Sequence, residues 1–214
     1  LGAPGFEELL LAILGQWEEN REALLSASSE ITKHLKSMQD QPSHMEKSLI
    51  EKAILQFTQH FDKRYGGFGG APKFPAPHNL LFLMDDYLLT QDVDVRNMFE
   101  TTLLQMYKGG LFDHIGFGFA RYSTDRFFLV PHFEKMLYDN ALLILAYAKA
   151  FSITKETIYL DIAEKTAAYI LREMTHDGGG FYSAQDADSD GIEGKYYVFD
   201  YHEILSLLGE KDGK

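Results

Sequence analysis

Residues 131–151 read PHFEKMLYDNALLILAYAKAF, and residues 77–89 read PHNLLFLMDDYLL. Both open with Pro-His, and both are apolar nearly all round their central turns. Proline suits a first helical turn, where its missing N–H has no helical partner to lose. A helix that is apolar all round is a buried one. The two stretches therefore predict two inner helices, starting near Pro77 and near Pro131.

The helical stretches around them keep a charged face. One carries Ile50, Ala53, Ile54, Phe57 and Phe61. The next runs from about Val95 to Tyr107 with Val95, Phe99, Leu103 and Met106 as its stripe, and a third carries Ile158, Ile162, Tyr169 and Ile170. Spacings of three and four put each set on one side, as an outer helix of a layered fold requires. Glycine stops at Gly66, Gly109 and Gly178, each with an aromatic close behind, mark an internal repeat. Their unequal spacing argues against a rigid short-period solenoid. The fold class is all-α: about three helical hairpins of inner and outer helices, with a small β-hairpin near residues 180–200, which the family resemblance of the loops implies to form a partial (α/α) toroid. Its strands are expected at Gly180 to Ala184 and Lys195 to Asp200, and another helix is expected from Tyr201. Upstream, Phe6, Leu9, Leu10, Ile13 and Trp17 open a helix that continues through Leu24, Ile31 and Leu35. Pro42 punctuates it, and Ser43 with Glu46 forms a capping-box pattern for the next helix.

Consecutive antiparallel helices alternate in direction, so the three outer helices point the same way and their loops gather at one end. The N-termini of both inner helices lie there too. Their free N–H groups and positive dipole ends face a loop-lined mouth.

Composition narrows the class of function. Lys and Arg number 20 against 32 Asp and Glu, a formal charge of −12. Such a surface is wrong for neutralising phosphates or for a polybasic membrane contact, so neither nucleic acid nor membrane is an expected partner. The absence of cysteine rules out disulfides, thiolate metal sites and a thiol nucleophile, and fits a cytoplasmic protein. No apolar run is long enough to span a bilayer. The first stretch lacks a basic flank and carries Glu7 and Glu8, unlike a signal peptide. The chain begins at Leu1 and reads as a piece of a longer protein.

The stretch with most chemistry is GGLFDHIGFGFARYSTDRFFLVPHFEKMLYDN, residues 109–140. A loop of this length rich in aromatics and glycine reads as functional. His114 and His132 are the candidate acid–base pair, because histidine beside a carboxylate is tuned toward neutral pH. Asp113 and Glu134 complete the catalytic candidates. Arg121, Tyr122, Asp125 and Arg126 from the same loop are substrate-binding candidates, with Tyr138, Asp139 and Asn140 just after it and His78 from the other inner helix. His132 and Glu134, read as two apart at a helix start, do not share a face. Asp186, Asp188, Asp190 and Gly191 open like a calcium loop, but the twelfth position is Tyr197, not the glutamate that such a loop needs. Asp186 and Asp188 are therefore read as sugar-binding candidates beside Tyr182, Tyr196 and Tyr197, paired with Arg121 or Arg126 from the neighbouring loop. No metal and no cofactor are expected.

Three motifs carry a family resemblance: FDKRYGGFGGAPKFP, residues 109–141, and FYSAQDADSDGIEGKYYVF. Across roughly Gln56 to Phe199 they closely resemble thioredoxin-domain-containing proteins of the YyaL and spermatogenesis-associated type. Phe117 stands where that family tends to have Gly, and Phe128 and Phe199 where it tends to have Trp. The resemblance implies a thioredoxin-like domain ahead of a six-hairpin toroid similar to N-acylglucosamine 2-epimerases and six-hairpin glycosidases. Residues 1–42 would then be a helix or linker from that preceding domain, and residues 43–214 the first half of the (α/α)6-type barrel. It implies a carbohydrate-active domain, sugar epimerase- or isomerase-like, with a small-molecule or glycan ligand at the mouth. The alternatives are a glycosidase-like hydrolase and a non-catalytic glycan- or protein-binding module partnering the thioredoxin domain. Half a toroid also exposes an open edge that favours a homo-oligomer.

Overall fold

The computed structural model describes residues 4–39 and 48–213. Pro42 and the Ser43–Glu46 capping pattern lie outside them. The chain divides into two compact units, residues 1–49 and 50–214.

In the first unit the expected single helix is two, α1 (Phe6–Glu19) and α2 (Arg21–Gln39), joined through the single residue Asn20. The break falls at Asn20, which leaves the helical region at φ −145°. The apolar stripe of α1 remains solvent-facing, with Phe6, Leu9 and Ile13 exposed.

The second unit is built from α3 (Ser48–His60), α4 (Pro77–Thr90), α5 (Val93–Lys108), α6 (Leu137–Thr154), α7 (Thr157–Glu173) and α8 (Tyr201–Asp212). The helix α6 packs against both α4 and α7, and α4 packs against α5. So α4 and α6 are the inner helices, as their all-round apolar character requires. The outer helices bury one face only. In α5 that face is Val95, Met98, Phe99, Thr102, Leu103 and Met106, and in α7 it is Tyr159, Ile162, Ala163, Thr166, Tyr169 and Ile170. Both sets advance in steps of one and three residues, which keeps them on one side of a helix. Asp92 caps α5 through its carboxylate, which accepts from Asp94 N at 2.8 Å.

The repeat is real, but its register differs from the glycine stops. Three loops close on one antiparallel bridge each, Phe61 with Phe68, Phe112 with Phe119, and Thr175 with Phe181. Before each second bridge residue the chain makes a left-handed turn, at Gly66–Gly67, Phe117–Gly118 and Gly179–Gly180, all with positive φ. Gly109 instead ends α5 with an extended φ and is not the equivalent of Gly66. Phe117 is the one non-glycine among the six, at φ 67°. This conformation costs an L-residue about 1–2 kcal/mol. Its partial burial against Phe112 in the core offsets that cost.

The helix expected from Pro131 is the main correction. Residues 131–136 are extended: β2 (Pro131–His132) pairs with β1 (Tyr122–Ser123), and β3 (Lys135–Met136) pairs with β4 (Ala184–Gln185). Only at Leu137 does α6 begin. The backbone groups of this segment are taken by strands from both neighbouring loops, so the ladder outcompetes the helical turn that Pro-His predicts. The acidic stretch is corrected as well. The strands β5 (Asp188–Ser189) and β6 (Ile192–Glu193) form a hairpin whose turn is Asp190–Gly191, both at positive φ. Asp-Gly is the residue pair that such a tight turn favours. The hairpin is narrower than the Gly180–Asp200 pairing expected.

Candidate functional site

Two buried ion pairs fix the loops. Asp62 accepts from Arg64 N and Tyr65 N, both at 3.1 Å, and from Lys73 Nζ at 2.9 Å. Lys73 also donates to Gly66 O at 2.6 Å. The second loop repeats this pattern. Asp113 accepts from Ile115 N at 2.9 Å, Gly116 N at 2.8 Å and Lys135 Nζ at 2.8 Å, while Lys135 donates to Phe117 O at 2.8 Å. Both lysines are buried, at 1% and 3% exposure. Burial pushes both carboxyls up, but the hydrogen bonds from lysine and backbone together outweigh it. Asp62, with Arg126 added, falls well below the usual carboxylate range, and Asp113 is also lowered. The recurrence of one arrangement in two loops marks Asp113 as a structural clasp.

Several other candidates are consumed in the same way. Asp125 accepts from Phe127 N, Leu129 N and Val130 N and so shapes the tip of its own loop. Arg126 reaches back to Asp62 at 2.8 Å. Asn140 is fully buried, and its amide spans Phe119 N, Phe119 O and Met136 O. His114 lies exposed on the rings of Tyr107 and Phe112 and joins no polar contact with the other candidates. His78 is exposed at the second position of α4. Asp186 accepts from Asp188 N, and neither pairs with Arg121 or Arg126. The partner of the acidic turn is instead Lys195, which reaches Asp190 at 2.6 Å.

What remains is a continuous polar cluster. In an extended segment alternate residues share a face, so His132 and Glu134 do point the same way, with His132 Nε2 3.8 Å from Glu134 Oε2. On its other side His132 Nδ1 lies 2.6 Å from Glu193 Oε1, at the end of the acidic hairpin. Since an ionised carboxylate only accepts, this contact places the proton on Nδ1 and leaves Nε2 as the basic nitrogen. Arg121 Nη1 donates to Glu134 Oε2 at 2.9 Å. Tyr122 stacks on the His132 ring at 4.9 Å, and Phe74 packs on Tyr122 in turn. Glu134 and, after it, Tyr138 hold the Arg121 guanidinium in its charged form. Asp139, in the first turn of α6, is 8% exposed. Burial pushes its carboxyl up to about 6, Arg121 opposes, and Glu134 adds to the rise. Its Oδ2 and the Nε of Arg121 are buried without a hydrogen-bond partner.

Glu193 is the member that sequence reading missed. It is 61 residues from His132 in the chain, and the only signal was its place after an acidic turn. A cavity of about 570 Å³ lies to one side of this cluster. It is lined by Ile115, Tyr196, Tyr197 and Phe199 among others and does not include the His132 cluster. Among the described residues no group of three His, Cys, Asp or Glu is arranged to hold a metal ion, and no helix is long and apolar enough to cross a membrane.

The second unit has the architecture of an α/α toroid of the kind seen in sugar epimerases and glycosidases. A sugar epimerase from a ruminal bacterium superposes with a TM-score of 0.57 at 18% identity, over 75% of this chain and 47% of that one. Cellobiose 2-epimerase from Bacillus thermoamylovorans gives 0.56 at 13%, over 77% and 50%. A glycoside hydrolase family 76 α-mannanase from Bacteroides thetaiotaomicron gives 0.52 at 18%, over 65% and 41%. In sequence the homologues are the spermatogenesis-associated protein 20 chains. The human and mouse proteins are each 41% identical over 222 residues, or 96% of this chain. The chain spans 28% of the length of those relatives. No family model matches it.

Proposed function

We propose that this segment supplies part of a carbohydrate-active site whose chemistry is isomerase- or epimerase-like proton transfer next to a sugar carbonyl. The observation that carries the reading is the Glu193–His132–Glu134–Arg121 chain of contacts at the N-terminal end of an inner toroid helix. His132 Nε2 takes the proton from C2 of an open-chain reducing sugar. The C2–H electron pair forms the C1=C2 bond, and the carbonyl pair moves onto O1. The Arg121 guanidinium faces the charge that develops there. A carboxyl of the cluster moves the O2 proton to O1, and the His132 imidazolium returns its proton to carbon, so no oxidant or reductant is needed. Return to C1 gives a ketose and needs only one histidine, which fits the placing of His114 outside the cluster. Phe74, packed on Tyr122 and half exposed, offers an apolar face beside the site. The hydrolytic reading loses support because Asp113 and Asp125 are tied to backbone N–H groups.

In the full-length protein we place a thioredoxin-like domain ahead of this one, with residues 1–42 leading from it, and the whole in the cytoplasm. The test uses the full-length protein with D-mannose and cellobiose in D2O, followed by NMR. Deuterium at C2 or a new ketose is expected. His132→Gln should lower the rate at least 100-fold, and His114→Ala should leave it within about twofold. A wild-type protein that exchanges no C2 proton in a panel of reducing sugars sinks the proposal.

A further inference from the structure

The first clasp carries more positive charge than the second, although the two are built alike. After Asp62 come Lys63 and Arg64, where after Asp113 come His114 and Ile115. The backbone is the same in both: Asp62 N donates to Gly67 O and Asp113 N to Gly118 O, each at 3.0 Å. The clasp therefore forms without a cation at either following position. Asp113 pairs with Lys135, whereas Asp62 pairs with Lys73 and with Arg126. Among the described residues Lys63 and Arg64 join neither of the Asp62 pairs and have no carboxylate of their own.

Lys63, Arg64 and Arg126 line an open concavity of about 510 Å³, together with Asp62 and His60. Its volume is that of a small-molecule site. Two of the cations are held in place. The guanidinium carbons of Arg64 and Arg126 lie 5.0 and 5.5 Å from the centre of the same Tyr65 ring, which packs edge-on against Phe127 at 4.8 Å. The C-terminus of α3 lies here, and its dipole favours cations in the residues just after it. That does not account for Arg126, which arrives from another loop 64 residues along the chain from Asp62. In a chain of formal charge −12, three cations are thus gathered on one wall, where they repel one another. Asp62 offsets this only in part, because it is already paired with the buried Lys73.

The group that completes such a wall is an anion. An ammonium adds to the repulsion, and an uncharged ligand leaves it standing. A carboxylate carries one charge, and one guanidinium satisfies it. A phosphate monoester carries close to two charges and offers three acceptor oxygens to forked donors. We infer that this concavity binds the phosphate monoester group of a small soluble ligand. Arg126 spends Nη2 on Asp62 and keeps its other N–H groups for the phosphate, Arg64 donates beside it, and Lys63 adds charge. The site shares no residue with the His132 cluster and does not rest on the sugar reading above.

The test is calorimetric titration of the full-length protein with inorganic phosphate, glycerol 3-phosphate, glycerol and acetate at pH 7.5 and constant ionic strength. Both phosphates should bind, and glycerol and acetate should give no heat. Arg64→Gln should weaken both phosphates at least about tenfold, with the circular dichroism spectrum unchanged. Arg64→Lys, which keeps the charge and loses the fork, should recover part of that loss. Lys211→Gln removes one positive charge from the exposed face of α8 and should leave the affinity within about twofold. Failure of both phosphates to bind overturns the inference, as does acetate binding equal to phosphate. So does an equal loss in Arg64→Gln and Lys211→Gln, which would make the attraction a property of net charge. Binding to phosphatidic acid vesicles with neither soluble phosphate bound overturns the assignment to a small ligand. A crystal soaked in glycerol 3-phosphate should show the phosphate between Arg64 and Arg126, and a phosphate seated only elsewhere overturns the site.

Discussion

Asp139 shows how much one side chain's setting decides. An aspartate in a first helical turn is favoured by the helix dipole and would normally sit in water. Here it is buried, and its carboxyl moves from 3.8 to about 6. The folded state therefore holds the proton more tightly than the unfolded chain does. The stability this gives is full below pH 3.8 and is lost as the pH rises through about 6. Above that, the charged carboxylate costs roughly 3 kcal/mol. Asp139→Asn cannot ionise, so its stability relative to wild type should rise between pH 4 and pH 7.5. Urea midpoints at the two pH values measure this, and a gap independent of pH would show that the carboxyl is solvated. The buried lysines act differently. Removing Lys135 leaves Asp113 without its cation in a shielded place, and Lys135→Ala should lose about 3–5 kcal/mol. Lys73→Ala leaves Asp62 its contact with Arg126 and should lose less. Lys195→Ala breaks an exposed pair with Asp190 and should lose less than about 1 kcal/mol. Chemical denaturation of the three variants separates the two kinds of ion pair.

At the scale of the element, the acidic hairpin β5–β6 carries Glu193 to His132. Its seat on the site strand is close. Gly194 has φ 73°, and a Cβ there would lie 2.5 Å from the Phe133 ring. Gly194→Ala should lift the hairpin, release Glu193 from His132, and lower activity at least tenfold while shifting the melting temperature by only a few degrees. A loss of activity matched by global unfolding would count against the hairpin as a local device. Gly109 marks a different constraint. Its Cβ would fall 2.1 Å from Phe128 O, a backbone atom that cannot step aside. Gly109→Ala should fail to fold or lose several kcal/mol, as thermal melts would report.

At the scale of the molecule, the segment matches about half of each toroid it superposes on. Large apolar side chains remain exposed in the second unit, among them Leu145, Leu171, Phe199 and Leu207. We expect the isolated segment to self-associate and the full-length protein to do so less, because further hairpins would cover the open edge. Sedimentation velocity of both checks this, and a segment that stays monomeric at high concentration would argue that its apolar surface is scattered.

The inner and outer roles of α4, α5, α6 and α7 follow from sequence alone. Burial repeats with the helical period, and that period is written in residues three and four apart. Val95, Phe99, Leu103 and Met106 were legible for this reason, and all are buried. The loop around Asp113 was legible as a special place, but not its role. That needed the superposition of two clasps, Asp62 with Lys73 and Asp113 with Lys135, whose unequal loop lengths hide the match. The strand at residues 131–136 was decided by tertiary structure. Its own residues predict a helix start, and only the neighbouring loops supply the backbone partners that extend it. That extension puts His132 and Glu134 on one face, and the approach of a hairpin 61 residues along the chain brings Glu193 to the ring. Local periodicity carries no information about such contacts, because they depend on where the chain returns in space.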